Sequence, residues 1–240
     1  MSIWKKVASL LVAGMSVAIS SHGQEIPKPP FLQEHAPEMS RWTVAFQYGG
    51  KEGSRPTAPM VLGQRLSRVE VIKTGRIRSI VGTFAGGAVQ EVWEQGPLQV
   101  LRDPGFQHEI VRRSTQRGGD FPEFWWIAAD RYKGRQTVDQ KECLVFSGEY
   151  FPLQFADPGL YAAATADENS VIELGSKVPV TAYIDPTSRL PVKLMVGDDV
   201  RVYTFGEPPT TQLAIPAEFQ AALADVQQRY NAIVKPLSPP

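Results

Sequence analysis

One thiol, two histidines beyond residue 23 and 25 acidic side chains are the groups in this 240-residue chain with obvious chemical capacity. A cysteine nucleophile needs an activating partner, and Cys143 has no local motif that supplies one. It sits in the apolar run Cys143-Leu144-Val145-Phe146, which points to a buried, inert thiol. A single cysteine also forms no intramolecular disulfide. His35 and His108 are far apart and show no zinc-type ligand spacing. Asp185 and the pair Asp198-Asp199 fall at turn signals, where a short carboxylate caps backbone N–H groups. No loop offers the run of oxygen ligands that calcium requires. Gly82-Thr83-Phe84-Ala85-Gly86-Gly87 is glycine-rich but lacks the lysine and following helix of a phosphate-binding loop. There is no serine nucleophile elbow. A carboxylate pair for glycoside hydrolysis could be drawn from the acidic residues only by arbitrary choice. The expectation is therefore a non-catalytic protein with no cofactor and no metal, with a hydrolase of unrecognised site as one alternative.

Aromatic side chains are the remaining candidates. They build cores and also line apolar pockets. Phe121-Pro122-Glu123-Phe124-Trp125-Trp126-Ile127 is the densest aromatic cluster. In a strand, Trp125 and Trp126 would point to opposite faces. Trp42, Phe46, Trp93 and Trp125 are the residues selected as candidate contacts for a hydrophobic or lipid-like ligand.

Those side chains must be carried by strands. In Arg41 to Tyr48, Trp42, Val44, Phe46 and Tyr48 share one face, the two-residue period of a half-buried strand. Apolar runs then recur at 66–73, 76–84, 88–94, 98–102 and 106–113. Thr74-Gly75, Ala85-Gly86-Gly87, Gly96-Pro97 and Asp103-Pro104-Gly105 separate them. Turns every 8 to 12 residues point to antiparallel hairpins rather than a parallel sheet. Tyr132-Lys133-Gly134-Arg135 reads as a turn, and Glu142 to Phe146 as a buried strand. The connection 151–175 has room for a short helix. Three more strands follow at 181–184, 191–196 and 200–205, cut by Asp185-Pro186-Thr187-Ser188 and Gly197-Asp198-Asp199. Phe219, Leu223, Val226, Tyr230 and Ile233 then recur at helical spacing after Pro216, which predicts a helix over 216–234. The expected fold is mainly β: one curved antiparallel sheet, an incomplete β-barrel, with a packed C-terminal α-helix. A β-sandwich fits the turn spacing nearly as well.

The ends bear on location. Lys5 and Lys6 precede an apolar run to about Ser20, and Ser21-His22-Gly23 places small residues at a cleavage point. That is the layout of a signal peptide over 1–23, cleaved near Gly23, and the run is short for a membrane span. Residues 24–40 form a proline-rich leader, 41–235 the single β-rich domain and 236–240 a tail. Removing 1–23 leaves 23 basic against 25 acidic side chains, a balance with no field for nucleic acid. The mature chain has no later run apolar enough to cross a bilayer, so a periplasmic or secreted protein is expected.

Tyr183-Ile184-Asp185-Pro186-Thr187-Ser188-Arg189-Leu190-Pro191-Val192-Lys193-Leu194, followed by Val202-Tyr203-Thr204-Phe205, resembles a late hairpin and strand of the periplasmic lipoprotein carriers. These are the half-barrels of the LolA/LolB-like superfamily. The early strand Trp42-Thr43-Val44-Ala45-Phe46 is similar too. The resemblance implies an incomplete barrel closed by helices, and a partner that is a hydrophobic ligand or lipoprotein acyl chains. An envelope protein-protein interaction module is the other alternative. The chain departs from the pattern in having a proline-rich leader where that superfamily has a helix, and in its longer C-terminal helix.

Overall fold

Alternation along β1 (Met39–Gln47) sets the frame: Trp42 and Val44 are buried while Arg41 and Ala45 are exposed. The computed structural model describes residues 25–50, 56–61, 63–96, 98–103, 110–113, 119–166 and 170–234. The signal peptide and its cleavage point, Lys51-Glu52-Gly53, Pro97, Pro104-Gly105, His108 and the tail lie outside those residues.

The remaining strands are β2 (Met60–Val61), β3 (Gln64–Thr74), β4 (Ile77–Phe84), β5 (Val89–Gln95), β6 (Leu98–Arg102) and β7 (Ile110–Arg113), then β8 (Tyr132–Val138), β9 (Lys141–Tyr150), β10 (Val178–Ile184), β11 (Pro191–Val196) and β12 (Asp199–Phe205). The helices are α1 (Leu153–Ala156), α2 (Pro158–Ala166) and α3 (Ala217–Val234). The strands pair antiparallel in the order β7-β6-β5-β4-β3-β1-β12-β11-β10-β9-β8, with β2 added beside β3. One continuous sheet excludes the sandwich. Among the described residues its edge strands β7 and β8 do not pair, so the barrel stays open.

Hairpin turns account for most of this order. Gly75, Gly87, Gly96 and Gly197 all adopt positive φ at turns between neighbouring strands, a region where a Cβ is penalised. One connection is different, because β7 and β8 lie at opposite edges. The described part of the chain between them lies over one face of the sheet, where Phe121 and Phe124 pack against Trp42 of β1 and Tyr203 of β12. We call this the crossing face and the other the helix face.

Register assigns side chains to each. Trp42 pairs with Phe205 and Val44 with Tyr203 on the crossing face. The same face continues through Leu194 opposite Ala182, and Phe146 opposite Ala182, into the main core. Trp93 pairs with Ser79 and Val100 on the helix face. There Phe219 and Leu223 of α3 complete a second, smaller core. α3 is thus the predicted amphipathic helix, starting one residue after Pro216 and lying against the outside of β6 and β7, with Phe219 reaching Trp93 of β5.

Two local readings are corrected. Tyr132 to Arg135 is not a turn but the start of β8, where Gly134 at φ 109° introduces a register shift. The reversal comes later, at Asp139-Gln140, with φ of 50° and 66°. The Phe121–Ile127 cluster is not a strand either. It begins with a single 3₁₀ turn at Pro122–Phe124. Trp125 and Trp126 still diverge, at 57% and 4% exposure.

Candidate functional site: an aromatic groove beside the leader

The crossing segment is held first by charge. Asp120 carries a buried carboxylate that receives Lys73 Nζ at 2.6 Å, the Arg78 guanidinium, and the backbone N–H of Ala36 at 2.8 Å. Cross-strand register explains the convergence, because Lys73 faces Arg78, Arg78 faces Glu94, and Glu94 faces Gln99. Arg78 also pairs with Glu94, and Gln99 Nε2 donates to Glu94 Oε1 at 2.5 Å. Four strand residues of the crossing face thereby form one polar row, with Asp120 bridging its first two members. Taken alone, each buried charge would be expensive; linked, they satisfy one another.

Aromatic packing takes over within a few residues. The Phe121 ring sits 5.7 Å from Trp42 and edge-on to Tyr203 and Phe205. Phe124 lies 5.5 Å from Tyr203. Trp126 Nε1 donates to the Glu123 carbonyl at 3.1 Å, while the Tyr203 hydroxyl donates to the Glu123 carboxylate. Burial, reinforced by the Glu123 charge, holds the Tyr203 hydroxyl well above its ordinary value, so it stays protonated and keeps donating.

The leader runs alongside. Gln33 N–H donates to the Arg189 carbonyl, and Asp120 N–H donates to the Glu34 carbonyl, both at 2.8 Å. Lys73 Nζ donates to the Ala36 carbonyl at 2.9 Å. Phe31 packs 5.6 Å from Phe146 of the main core.

Between leader and crossing segment lies a groove of about 290 Å³, walled by Phe31, Leu32, Phe121, Phe124, Trp125 and Ile127, with Glu34 among its lining residues. Trp125 is the exposed ring, packed edge-on to Tyr150 at 5.3 Å. Burial raises the Tyr150 hydroxyl above its ordinary range. A second hollow of about 280 Å³, lined by Glu25, Ile26, Pro27, Lys28, Tyr132 and Arg135, is more polar in its residues.

The four sequence candidates separate. Trp125 lines the groove. Trp42 is buried beneath the crossing segment, in contact with Phe121. Phe46 is half-buried on the same strand and face, with the Arg201 guanidinium 5.4 Å from its ring. Trp93 is on the helix face, 6.1 Å from Phe219, so it shares no surface with Trp42. Sequence reading missed Phe31 and Leu32. Their only signal was an apolar pair directly after Pro29-Pro30.

Chemistry is otherwise quiet. Cys143 is buried and free, and burial pushes its thiol up, away from the reactive thiolate. Asp185 Oδ1 accepts from Thr187 N–H at 2.9 Å and Ser188 N–H at 2.7 Å. Burial works against that carboxylate's charge, and the backbone donors overcome it and hold it below its usual range. Among the described residues, no group of three or more His, Cys, Asp or Glu side chains could hold a metal ion. No described helix is long and apolar enough to cross a membrane.

No protein-family model matches the chain, and no curated protein matches it. Solved structures do. The Mycobacterium tuberculosis lipoprotein LppX aligns with a TM-score of 0.41 and 15% identity, over 74% of this chain and 90% of its own. A LolA superfamily protein from Nitrosomonas europaea aligns at 0.27 and 14%, over 75% and 90%. An outer membrane lipoprotein-sorting protein domain from Vibrio parahaemolyticus aligns at 0.30 and 10%, over 77% and 89%. The chain is similar to these proteins only distantly.

Proposed function

We propose that this protein is an exported, non-catalytic, carrier-like module that binds a hydrophobic or lipid-like ligand, seating one aliphatic chain in the groove under Trp125. The observation that carries this reading is a large apolar ring, 57% exposed, at a groove walled mainly by apolar side chains, with Glu34 at its lining. Covering such surface is favourable at about 25 cal/mol per Å². The volume limits the occupant. About 290 Å³ lies just below the ~300–1,000 Å³ range of small-molecule sites, which suits one chain rather than a multiply acylated anchor. From β8 to β1 the crossing face is packed with the protein's own side chains. Binding without turnover fits a groove whose lining has one carboxylate and no nucleophile.

Titration with cis-parinaric acid, following its fluorescence and that of the protein's tryptophans, tests the reading. Binding that weakens about tenfold or more in Trp125→Ala supports it. Absence of binding, together with no lipid in native mass spectra of protein from its own host, overturns it. A stoichiometric protein in those spectra would instead favour the envelope interaction module.

A further inference from the structure

We infer that the leader is a displaceable strap: an incoming aliphatic chain takes the places of Phe31 and Leu32 and so extends its site from the groove onto the main core. The inference rests on the ligand-binding reading above.

Three features of the leader carry it. Its polar anchors cluster at one end. Glu34 and Ala36 are held by Asp120 and Lys73, while the hydrogen bonds of the described leader begin only at Gln33. Residues before that point are mostly exposed, Ile26 at 53% among them. Phe31 and Leu32 therefore depend on apolar packing, the one kind of contact an aliphatic chain reproduces without loss. Finally, these two side chains do double duty. They wall the groove and also pack against the core that contains Phe146. A chain lying in the groove therefore already touches both. Pushing them aside joins the groove to the Phe146 surface with no rearrangement of the sheet.

The motion has a defined pivot and a defined clasp. Ala36, fixed by the buried Asp120, is the pivot. The Gln33 N–H bond to the Arg189 carbonyl, in the turn between β10 and β11, is the clasp that must open. The closed strap lowers apparent affinity by the fraction of molecules that are open, so weakening its apolar hold should tighten binding.

The test uses the full mature chain, cis-parinaric acid as probe, and the double variant Phe31→Ala, Leu32→Ala. About tenfold tighter binding by the variant is expected. Hydrogen exchange on the wild type gives a second measurement that needs no variant. Saturating probe should speed exchange of the Gln33 amide about tenfold and leave the Ala36 amide unchanged. Weaker binding by the variant, or slower exchange at Gln33, overturns the strap and leaves the groove reading standing. If neither protein binds the probe, the ligand-binding reading falls and the strap with it. Circular dichroism checks the variant's fold, and if it fails the Gln33 amide decides alone.

Discussion

From β8 to β1 the sheet buries its crossing face under the leader and the 119–131 segment, whereas at β5 and β6 it also buries the opposite face under α3. The first region is large and aromatic, with Trp42, Phe121, Phe124, Trp126, Phe146 and Tyr203 in one cluster. The second is built on Trp93, Val100, Ile215, Phe219 and Leu223. Between them on the crossing face stands the polar row of Lys73, Arg78, Glu94 and Gln99. The contrast shows two ways of covering an open sheet. A helix brings its own regular apolar stripe, while irregular chain must be pinned by charge and then sealed by rings. Irregular cover leaves a groove because its apolar side chains follow no continuous ridge.

The largest expected effect breaks the first region at its pin. Asp120→Ala leaves Lys73 and Arg78 buried with a counter-charge removed, and should cost about 4–5 kcal/mol in urea unfolding. A cost below about 1 kcal/mol would mean that the rings alone hold the crossing segment. Phe219→Ala attacks the second region, and about 3 kcal/mol is expected, at the low end for a buried phenylalanine because this cluster is small. Its exchange signature should be local, with α3 amides freed and those of β9 to β12 kept.

Alkaline pH supplies a milder perturbation. Burial pushes the Tyr48 hydroxyl from 10.0 up to about 12, and its O–H donates to the Leu66 carbonyl at 2.5 Å. Above pH 10 the unfolded chain loses this proton while the folded chain keeps it, so the folded state binds more protons and stability falls as pH rises toward 12. Urea midpoints measured between pH 9 and 12 should show that decline, and Tyr48→Phe should flatten it. A flat wild-type curve would contradict the burial of this hydroxyl. The smallest stability effect belongs to Trp125→Ala, below about 1 kcal/mol, because the ring is mostly outside the core. A cost near that of Phe219→Ala would make Trp125 a core residue and sharpen the comparison against the groove.

Legibility followed the range of the forces involved. The β10-β11-β12 meander was readable to within three residues at every strand end, since Asp185 caps its own turn and Gly197 sits at φ 61°. The β8–β9 reversal was misplaced because Gly134 looks like a turn glycine but makes an irregularity inside a strand. The true turn uses Gln140 at positive φ, which its residue type does not signal. Of the four aromatic candidates, only Trp125 reached the groove, and nothing in local sequence distinguishes it from its buried neighbour Trp126.

By itself, then, the sequence determined the antiparallel hairpins, the amphipathic C-terminal helix and the buried thiol, because alternation, turn geometry and helical spacing act over a few residues. Only tertiary structure decided which face each tryptophan occupies, how Asp120 meets a lysine 47 residues away, and that Phe31 and Leu32 wall the groove. Those outcomes depend on the path of the chain between the two sheet edges. A connection of that kind is selected by the burial and charge pairing available across the whole face, which no local pattern encodes.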